Sequence, residues 1–270
     1  MLLIHSLRFN FQLFPNMAGH SKWKNIRLHK GKADVERGKI FGKLSREITI
    51  AARMGGGVVE SNPRLRMAVE KARSASMPVD NIKRALQKGT GELGGEAYEE
   101  VVYEGYGPGG VAVLVECATD NRNRTVADLR HLFNRFGGNL GESGSVAWQF
   151  ARKGVLLVAA QGLEEDAVLE AVLEAGGDDM ERIADGDGEN FEIVSPPENL
   201  AELRQALETR GMAISSEEIA MIAQNTVQPD AEGSTPLLKL LDAIEDHNDV
   251  QRVATNAVFE DAVLAANSQN

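Results

Sequence analysis

Apolar residues in the first third of the chain recur at steps of three and four, the spacing that places them on one face of an α-helix. The first such face consists of Phe41, Leu44, Ile48 and Ala51. After glycines at positions 55, 56 and 57, two shorter faces follow, made of Leu65, Ala68, Val69 and Ala72 and then of Ile82, Ala85 and Leu86. The pattern predicts a small bundle of three amphipathic helices.

Residues suited to helix ends flank the second and third of these helices. Asn62 can cap the second helix by accepting a hydrogen bond from a free backbone N–H, and Pro63 fits its first position. Pro78 and Asp80 precede the third apolar face, and Gly89 follows it. We expect the third helix to begin near Pro78 and to end at Gly89, because glycine commonly ends helices.

Beyond residue 97 the pattern changes to short runs rich in valine. Strands are predicted over 99–107 and 111–120, joined by a tight turn, and again over 145–150 and 153–160. An amphipathic helix over 121–138 separates the two pairs of strands. The remaining chain alternates similarly, with predicted helices over 164–177, 196–211 and 235–249 and strands over 190–195, within 212–228 and over 250–258.

This order of elements gives two interleaved β-α-β units with several hairpin-connected strands, which is typical of ferredoxin-like folds. The predicted class is α+β: an N-terminal small helical bundle followed by two ferredoxin-like α/β domains, one inserted into the other. The predicted boundaries are an extension over 1–16 that is disordered or not native, a basic helical domain plus linker over 17–96, an α/β domain over 97–150 and 223–260, and an inserted α/β domain over 151–222.

Charge is divided very unequally along the chain. Residues 1–90 contain 18 Lys and Arg against 6 Asp and Glu, a net of +12, whereas residues 91–270 contain 11 against 34, a net of −23. The whole chain therefore has a net charge of −11. A cationic surface attracts polyanions, so the basic third is the expected docking surface for nucleic acid. The alternative is a solvated helical surface that is merely rich in lysine.

Motifs for catalysis, cofactors and metals are weak. The pattern G-x-G-x-x-G at 105–110 precedes a strand instead of the helix that phosphate binding needs, so it predicts a hairpin turn. Acidic residues at 178–189 lack the spacing of a calcium loop and predict a solvated turn. Cys117 is expected to be a buried, unreactive thiol, and His131 to point inward from its helix. We predict a non-enzymatic protein without a metal or a cofactor.

The cysteine count and the lengths of the apolar runs lead to expectations about cellular location and oligomeric state. A single cysteine excludes a disulfide framework and a cysteine-based zinc site. No apolar run approaches the ~18–20 residues that span a bilayer. We therefore expect a cytoplasmic protein without membrane contact. We also expect a monomer, because no apolar seam for association is evident.

The strongest functional signal is the segment 19–39. Its cations, which can neutralise phosphates and release counterions, are Lys22, Lys24, Arg27, Lys30, Lys32, Arg37 and Lys39. Trp23 is equally compatible with stacking on an unpaired base and with anchoring the arm by hydrophobic contact. Because no helix-turn-helix or aromatic RNA-binding pattern accompanies these residues, they do not themselves indicate base-specific recognition.

Several ordered blocks resemble the YebC/PmpR family. They are MAGHSKWKN at 17–25, FGKLSREI at 41–48, NPRLR at 62–66, MPVDNI at 77–82, YEGYGPGG at 103–110, TDNRNRT at 119–125 and GSVAWQF at 144–150. The resemblance covers residues 17 to about 260 and supports Met17 as the native start. It implies three domains, with the two α/β domains around a cleft, and a cytoplasmic, non-enzymatic regulator of gene expression.

The resemblance also implies partners and binding positions. Bacterial members are described as transcriptional regulators that bind promoter DNA, whereas other members, including a mitochondrial translational activator, are linked to the ribosome and to elongation through proline runs. The matching blocks carry His20, Lys22, Trp23, Lys24 and Lys30 in the arm and Lys39, Lys43 and Arg46 in the first helix. We add Arg27 and Lys32 from the same basic segment. Arg122 and Arg124, at an expected helix N-terminus, either hold a phosphate or pair with acidic groups of their own domain.

Three functional hypotheses therefore stand. The first is a regulator of transcription that binds DNA, and the second is a translation factor that binds ribosomal RNA or the ribosome. The third is an enzyme that uses the cleft between the domains, which a perturbed carboxylate or a bound metal there would favour.

Overall fold

The computed structural model describes residues 33–94, 97–185 and 188–260. The helices of these ranges are α1 (Ala33–Gly55), α2 (Pro63–Ser74), α3 (Val79–Thr90), α4 (Arg122–Arg135), α5 (Glu165–Glu174), α6 (Leu200–Thr209) and α7 (Ala231–Glu245). The strands are β1 (Glu99–Tyr106), β2 (Ala112–Thr119), β3 (Asn139–Leu140), β4 (Phe150–Ala159), β5 (Asp179–Asp185), β6 (Gly188–Ser195), β7 (Ile214–Ala223) and β8 (Val250–Thr255). The predicted extension over 1–16 lies outside the described residues.

Helices α1 to α3 form the predicted bundle around one apolar core. Ile48 of α1, Leu65 of α2 and Ile82 of α3 are buried in it, as their helical spacing indicates. Asn62 caps α2 by accepting a hydrogen bond of 3.1 Å from the backbone N–H of Leu65. Its amide nitrogen also donates to the carbonyl of Ala51 at 2.8 Å, so the cap joins the start of α2 to α1.

The predicted end of the third helix at Gly89 is wrong. Helix α3 continues to Thr90, and Gly91 ends it with a left-handed φ of 83°. Gly89 is instead buried where α3 crosses α1. A Cβ at this position would lie 2.5 Å from the carbonyl oxygen of Thr49 and 2.7 Å from the Cβ of Ala52. The glycine is therefore required for close packing of the two helices and not for ending α3.

Two antiparallel four-stranded sheets follow the bundle, as the α+β prediction expects. The first sheet has the strand order β3-β1-β2-β8, and the second has the order β5-β6-β4-β7. The second sheet and its helices follow the order β4-α5-β5-β6-α6-β7, which is the ferredoxin-like βαββαβ arrangement. This unit is inserted between β3 and β8 of the first sheet.

Each sheet buries one face against its own pair of helices. In β2, Val113 and Val115 point towards α4 and α7, whereas Ala112 and Leu114 point to the opposite face, because side chains alternate along a strand. In β4, Leu156 and Val158 likewise contact the layer of α5 and α6. The tight turn between β1 and β2 follows from the two left-handed glycines at 109 and 110.

Besides the two-residue strand β3, which no sequence prediction included, two elements differ from the sequence predictions. Residues 145–150 were expected to form a strand, but Ala147–Gln149 form a 3₁₀ turn and β4 begins at Phe150. Here the Glu104 carboxylate accepts hydrogen bonds from the backbone N–H groups of Val146 and Ala147, which draws the chain out of an extended form. Strand β5 has no counterpart among the predicted strands, because its polar sequence DMERIAD lacks a continuous apolar run.

Candidate nucleic-acid interface

Three of the predicted nucleic-acid contacts lie in a row on α1 and face the chain that links α7 to β8. We call Lys39, Lys43 and Arg46 the basic row. The Lys39 ammonium lies 3.2 Å from the Asp246 carboxylate. Lys43 Nζ donates to the carbonyl of Glu245 at 2.8 Å, and Arg46 Nη1 donates to the carbonyl of Asn248 at 2.6 Å.

The segment that the basic row contacts comprises residues 245–249, and we call it the acidic turn. It follows the C-terminal end of α7, where unpaired carbonyls and the helix dipole create a partial negative charge. The side chain of Asp246 adds a full negative charge close to Lys39. The acidic turn thus offers the basic row an arrangement of oxygen atoms that attracts cations.

The opposite side of the acidic turn is held by the start of α4. Arg124 Nη2 lies 2.7 Å from the Asp249 carboxylate, and the Thr125 hydroxyl donates to the same oxygen at 2.8 Å. His247 Nδ1 accepts a hydrogen bond from the Asp249 backbone N–H, so its Nε2 carries the hydrogen that faces Asp128 at 3.2 Å. The acidic turn is therefore fixed to the domain of the first sheet.

Asp249 is the buried centre of this network, with 4% of its surface exposed. Burial by itself raises the pKa of the Asp249 carboxyl, but the hydrogen bonds from Arg124 and Thr125 outweigh burial, and the pKa lies below its ordinary value. The carboxylate is therefore ionised at neutral pH, and it binds Arg124 as an internal partner.

The remaining members of the TDNRNRT block also have structural contacts. Asn121 caps α4 by accepting a hydrogen bond from the backbone N–H of Arg124 at 3.0 Å. Arg124 additionally lies 2.8 Å from Asp120. Arg122 occupies the first position of α4, with 64% of its side chain exposed and Glu99 at 4.0 Å. The sequence left open whether these arginines hold a phosphate or pair with acidic groups of their own domain. The contacts of Arg124 match internal pairing. A role of either arginine in nucleic-acid binding stays a prediction.

The other predicted contacts lie outside the described residues. They are His20, Lys22, Trp23, Lys24, Arg27, Lys30 and Lys32. Their roles stay predictions.

Five further cations of the helical domain were not among the predicted site residues. They are Arg53, Arg66, Arg73, Lys83 and Arg84, and all are exposed. Within the ranges that the structure describes, none of the five forms an ion pair. Because Arg66 and Arg73 are seven residues apart on α2, they lie on the same side of that helix. Sequence charge alone identifies these cations but not which of them remain unpaired, since pairing depends on the neighbouring domains.

Other cations of the bundle join it to the two sheets. Arg64 lies between Glu47 of α1 at 2.9 Å and Glu100 of β1 at 2.5 Å. Lys71 of α2 lies 3.1 Å from Glu218 of β7. The inward side of the basic domain is therefore neutralised by acidic groups of the other two domains, which leaves the outward cations as its available positive charge.

A cleft of about 700 Å³ lies between the bundle and both sheets. Its charged lining is largely paired, since Arg252 contacts Glu116 at 3.1 Å and Arg64 holds Glu47. Burial raises the pKa of Glu47, but the hydrogen bond from Arg64 and nearby cations outweigh it and lower the pKa overall. A carboxylate with a lowered pKa is a weaker proton acceptor, so Glu47 has the character of a structural ion pair.

The remaining candidates from the sequence have structural surroundings. Cys117 is buried, and burial raises the pKa of its thiol to about 12, with a further contribution from the Asp249 carboxylate. His131 was expected to point inward, but it is exposed, because Leu129 and Phe133 on either side of it occupy the apolar face of α4. In the described ranges, no group of three metal-ligating side chains is present. No described helix is long and apolar enough to cross a membrane.

Comparisons with known proteins agree with the architecture. The N-terminal domain of the TACO1/YebC family matches residues 21–92, and the second and third domains of that family match residues 98–257. The chain belongs to the TACO1/YebC family.

Curated relatives in this family share about half of their residues with the chain. A probable transcriptional regulatory protein of Persephonella marina is 54% identical over 89% of this chain and 95% of its own length. A protein of the same name from Pelotomaculum thermopropionicum is 51% identical over 91% of this chain and 100% of its own length.

A solved structure has the same fold. It is the crystal structure of a conserved hypothetical protein from Aquifex aeolicus, which is 46% identical and superimposes with a TM-score of 0.77 over 87% of this chain and 96% of its own. The family and the relatives' names support a role in gene regulation.

Proposed function

We propose that this protein is a non-enzymatic, cytoplasmic regulator of gene expression that acts as a monomer and binds nucleic acid through its basic helical domain. The observation that carries the proposal is the separation of cations in this domain. Those that face the other domains are paired with acidic groups, whereas Arg53, Arg66, Arg73, Lys83 and Arg84 are exposed and have no ion pair within the described residues. Such cations are free to neutralise phosphates.

The acidic body of the protein complements this role. The net charge of −23 over residues 91–270 repels phosphates from the two α/β domains, so a polyanion approaches the helical domain. The affinity is expected to depend strongly on salt, because each phosphate contact releases counterions. The ionised and paired carboxylates of the cleft favour a structural role there over acid–base catalysis.

Duplex DNA is the partner that the relatives' names favour, since they are called probable transcriptional regulatory proteins. Ribosomal RNA is a second candidate, supported by the placement of α1. The basic row of α1 contacts the acidic turn, so it does not present three unoccupied cations to a major groove. Phosphate contacts without base contacts suit a structured RNA bound by shape.

A competition experiment distinguishes the two polymers. The full chain is sedimented with ribosomes through sucrose at low and at moderate salt, with promoter DNA of equal mass as competitor. Retention on the ribosomes despite the DNA supports the translation factor, and transfer to the DNA supports the transcriptional regulator. Binding to neither polymer would contradict the proposed function.

A further inference from the structure

The basic row and the acidic turn form a contact with the chemistry of a phosphate site. Three cations on successive turns of α1 converge on three oxygen atoms within four residues: the Asp246 carboxylate and the carbonyls of Glu245 and Asn248. Lysine and arginine use the same donors to bind the oxygens of a nucleic-acid backbone. The acidic turn therefore presents to α1 the type of atoms that a phosphate would present.

This contact restricts what α1 can bind. Lys43 and Arg46 are only partly exposed, and their donors are directed at the acidic turn. Arg46 Nε is buried and has no hydrogen-bond partner, although Nη1 of the same guanidinium is bound. Lys39 is accessible as well, with 38% of its side chain exposed. A phosphate can replace the oxygens of the acidic turn at these donors only if the turn moves away from them.

We propose that the acidic turn is an internal competitor of nucleic acid for the basic row, so that Lys39, Lys43 and Arg46 bind phosphates only after the helical domain separates from the domain of the first sheet. The proposal rests on the proposed function, since it assumes that the helical domain binds a polyanion. Under this proposal, the outward cations of the helical domain bind phosphates first. The basic row adds further phosphate contacts in a second step.

The acidic turn moves with the first-sheet domain, because Arg124 holds Asp249 and Asp128 faces His247 on its far side. Separation must therefore displace the helical domain as a unit. The other contacts to be broken are ion pairs with partly exposed side chains, such as Arg64 with Glu100 and Lys71 with Glu218, and the packing of Met67 against the core of the second sheet. Pairs of this kind are weak singly and weaken further with salt, so a polyanion with many phosphates can replace them.

A reversible covalent lock tests the proposal directly. The full chain with Lys39→Cys and Asp246→Cys is joined at these two positions by a bismaleimide whose spacer contains a cleavable disulfide. Cys117 is left in place because it is 3% exposed. The affinity for a labelled duplex DNA and for a structured ribosomal RNA fragment is measured before and after cleavage of the spacer by a thiol. A chain with Lys39→Cys alone, treated with the same reagents, controls for modification at that position.

We expect the locked chain to bind at least tenfold more weakly than the same chain after cleavage, and the single-cysteine control to show no such change. Equal affinities in the locked and the cleaved states would overturn the proposal while leaving the proposed function intact. Loss of binding to both polymers in the cleaved chain and in the wild type would instead contradict the proposed function, and this proposal with it.

A charge variant supplies an independent measurement. Asp246→Lys removes the partner of Lys39, and Glu142→Lys makes the same charge change on an exposed loop residue without an ion pair among the described residues. We expect Asp246→Lys to raise the affinity about two- to fivefold more than Glu142→Lys, the range of a surface ion pair. Equal gains would show that the position of the charge is irrelevant and would count against the proposal.

Discussion

The Lys43 ammonium donates a hydrogen bond of 2.8 Å to the carbonyl oxygen of Glu245, the last residue of α7. This contact joins the basic bundle to the acidic part of the chain through a helix terminus that carries partial negative charge. It illustrates how the protein distributes its positive charge. Cations that face inward pair with acidic groups of the other domains, whereas outward cations such as Arg66 and Arg73 are exposed and have no ion pair within the described residues.

The Asp249 network stabilises the junction between α4 and the acidic turn. We expect Asp249→Asn to lower the free energy of unfolding by about 1–3 kcal/mol at pH 7, because the Arg124 guanidinium loses its buried charged acceptor. The pKa of Asp249 is lowered in the folded state, so this stabilisation is present above the unfolded pKa of about 3.9 and is lost as the pH falls through the lower folded value. Urea unfolding of the wild type and of Asp249→Asn at pH 7 and at pH 3 measures the loss of stability and its pH dependence. A larger stability difference between the two proteins at pH 3 than at pH 7 would contradict this prediction.

The Glu104 carboxylate organises the loop that precedes β4. It is 5% exposed and accepts hydrogen bonds of 2.7–2.8 Å from the backbone N–H groups of Gly144, Val146 and Ala147. Burial raises the pKa of Glu104, but these three hydrogen bonds outweigh burial and lower it, so its stabilising effect is lost on acidification through the lowered value.

We expect Glu104→Gln to lower the free energy of unfolding by about 1–3 kcal/mol at pH 7, because an amide nitrogen would face a backbone donor. Chemical denaturation measures the change. Glu142→Gln, on the exposed part of the same loop, is the control and should change stability by less than about 0.5 kcal/mol. Similar losses for the two variants would show that the hydrogen bonds of Glu104 do not contribute.

Close packing of α1 and α3 at Gly89 is testable with alanine. We expect Gly89→Ala to destabilise the protein by about 1–3 kcal/mol, because the added Cβ meets the Thr49 carbonyl and Ala52. Gly38→Ala is the matched control, since Gly38 lies in α1 with no atom within 4 Å of a Cβ, and it should stabilise by about 0.5–1 kcal/mol. Thermal unfolding of both variants measures these changes in stability. If Gly89→Ala stabilised the protein, the two helices would be able to move apart without a loss of folding free energy.

Cys117 should be inert in the folded protein. Burial raises the pKa of its thiol to about 12, so the reactive thiolate is scarce at neutral pH. We expect an aromatic disulfide reagent to modify the single cysteine at pH 8 only slowly in the native chain and rapidly in denaturant. Rapid modification of the native chain would contradict the burial of β2.

The helical faces and the fold class could be predicted from the sequence because periodic apolar residues directly reflect burial. Ile48, Leu65 and Ile82 lie in the core for this reason. The end of α3 was misplaced because glycine serves two purposes, and only the contact of Gly89 with Thr49 shows that it packs two helices. The turn at 147–149 escaped prediction because it depends on Glu104, which lies some forty residues earlier in the chain.

The candidate site was predictable only in part. Charge counting correctly indicated that the bundle is basic, but it gave no information about which cations have partners. The basic row at Lys39, Lys43 and Arg46 contacts a turn about 200 residues away in sequence, and no local pattern reports such a contact. The domain boundaries and the binding roles of individual residues stay predictions.

If outward cations of the helical domain bind phosphates, the salt dependence of binding must change when these cations are removed. The affinity for duplex DNA and for ribosomal RNA is measured between low and moderate salt for the wild type and for a variant carrying Arg66→Gln, Arg73→Gln, Lys83→Gln and Arg84→Gln. A control with the same change in net charge carries Arg130→Gln, Arg135→Gln, Arg152→Gln and Lys239→Gln, all at exposed positions of the acidic domains.

We predict that the helical-domain variant loses affinity and that the slope of log affinity against log salt on duplex DNA falls by about 0.9 for each phosphate contact removed. The control variant should keep the wild-type slope. Equal slopes and equal affinities for the two variants would show that the helical domain is not the phosphate-binding surface, because the position of the cations would then have no bearing on binding.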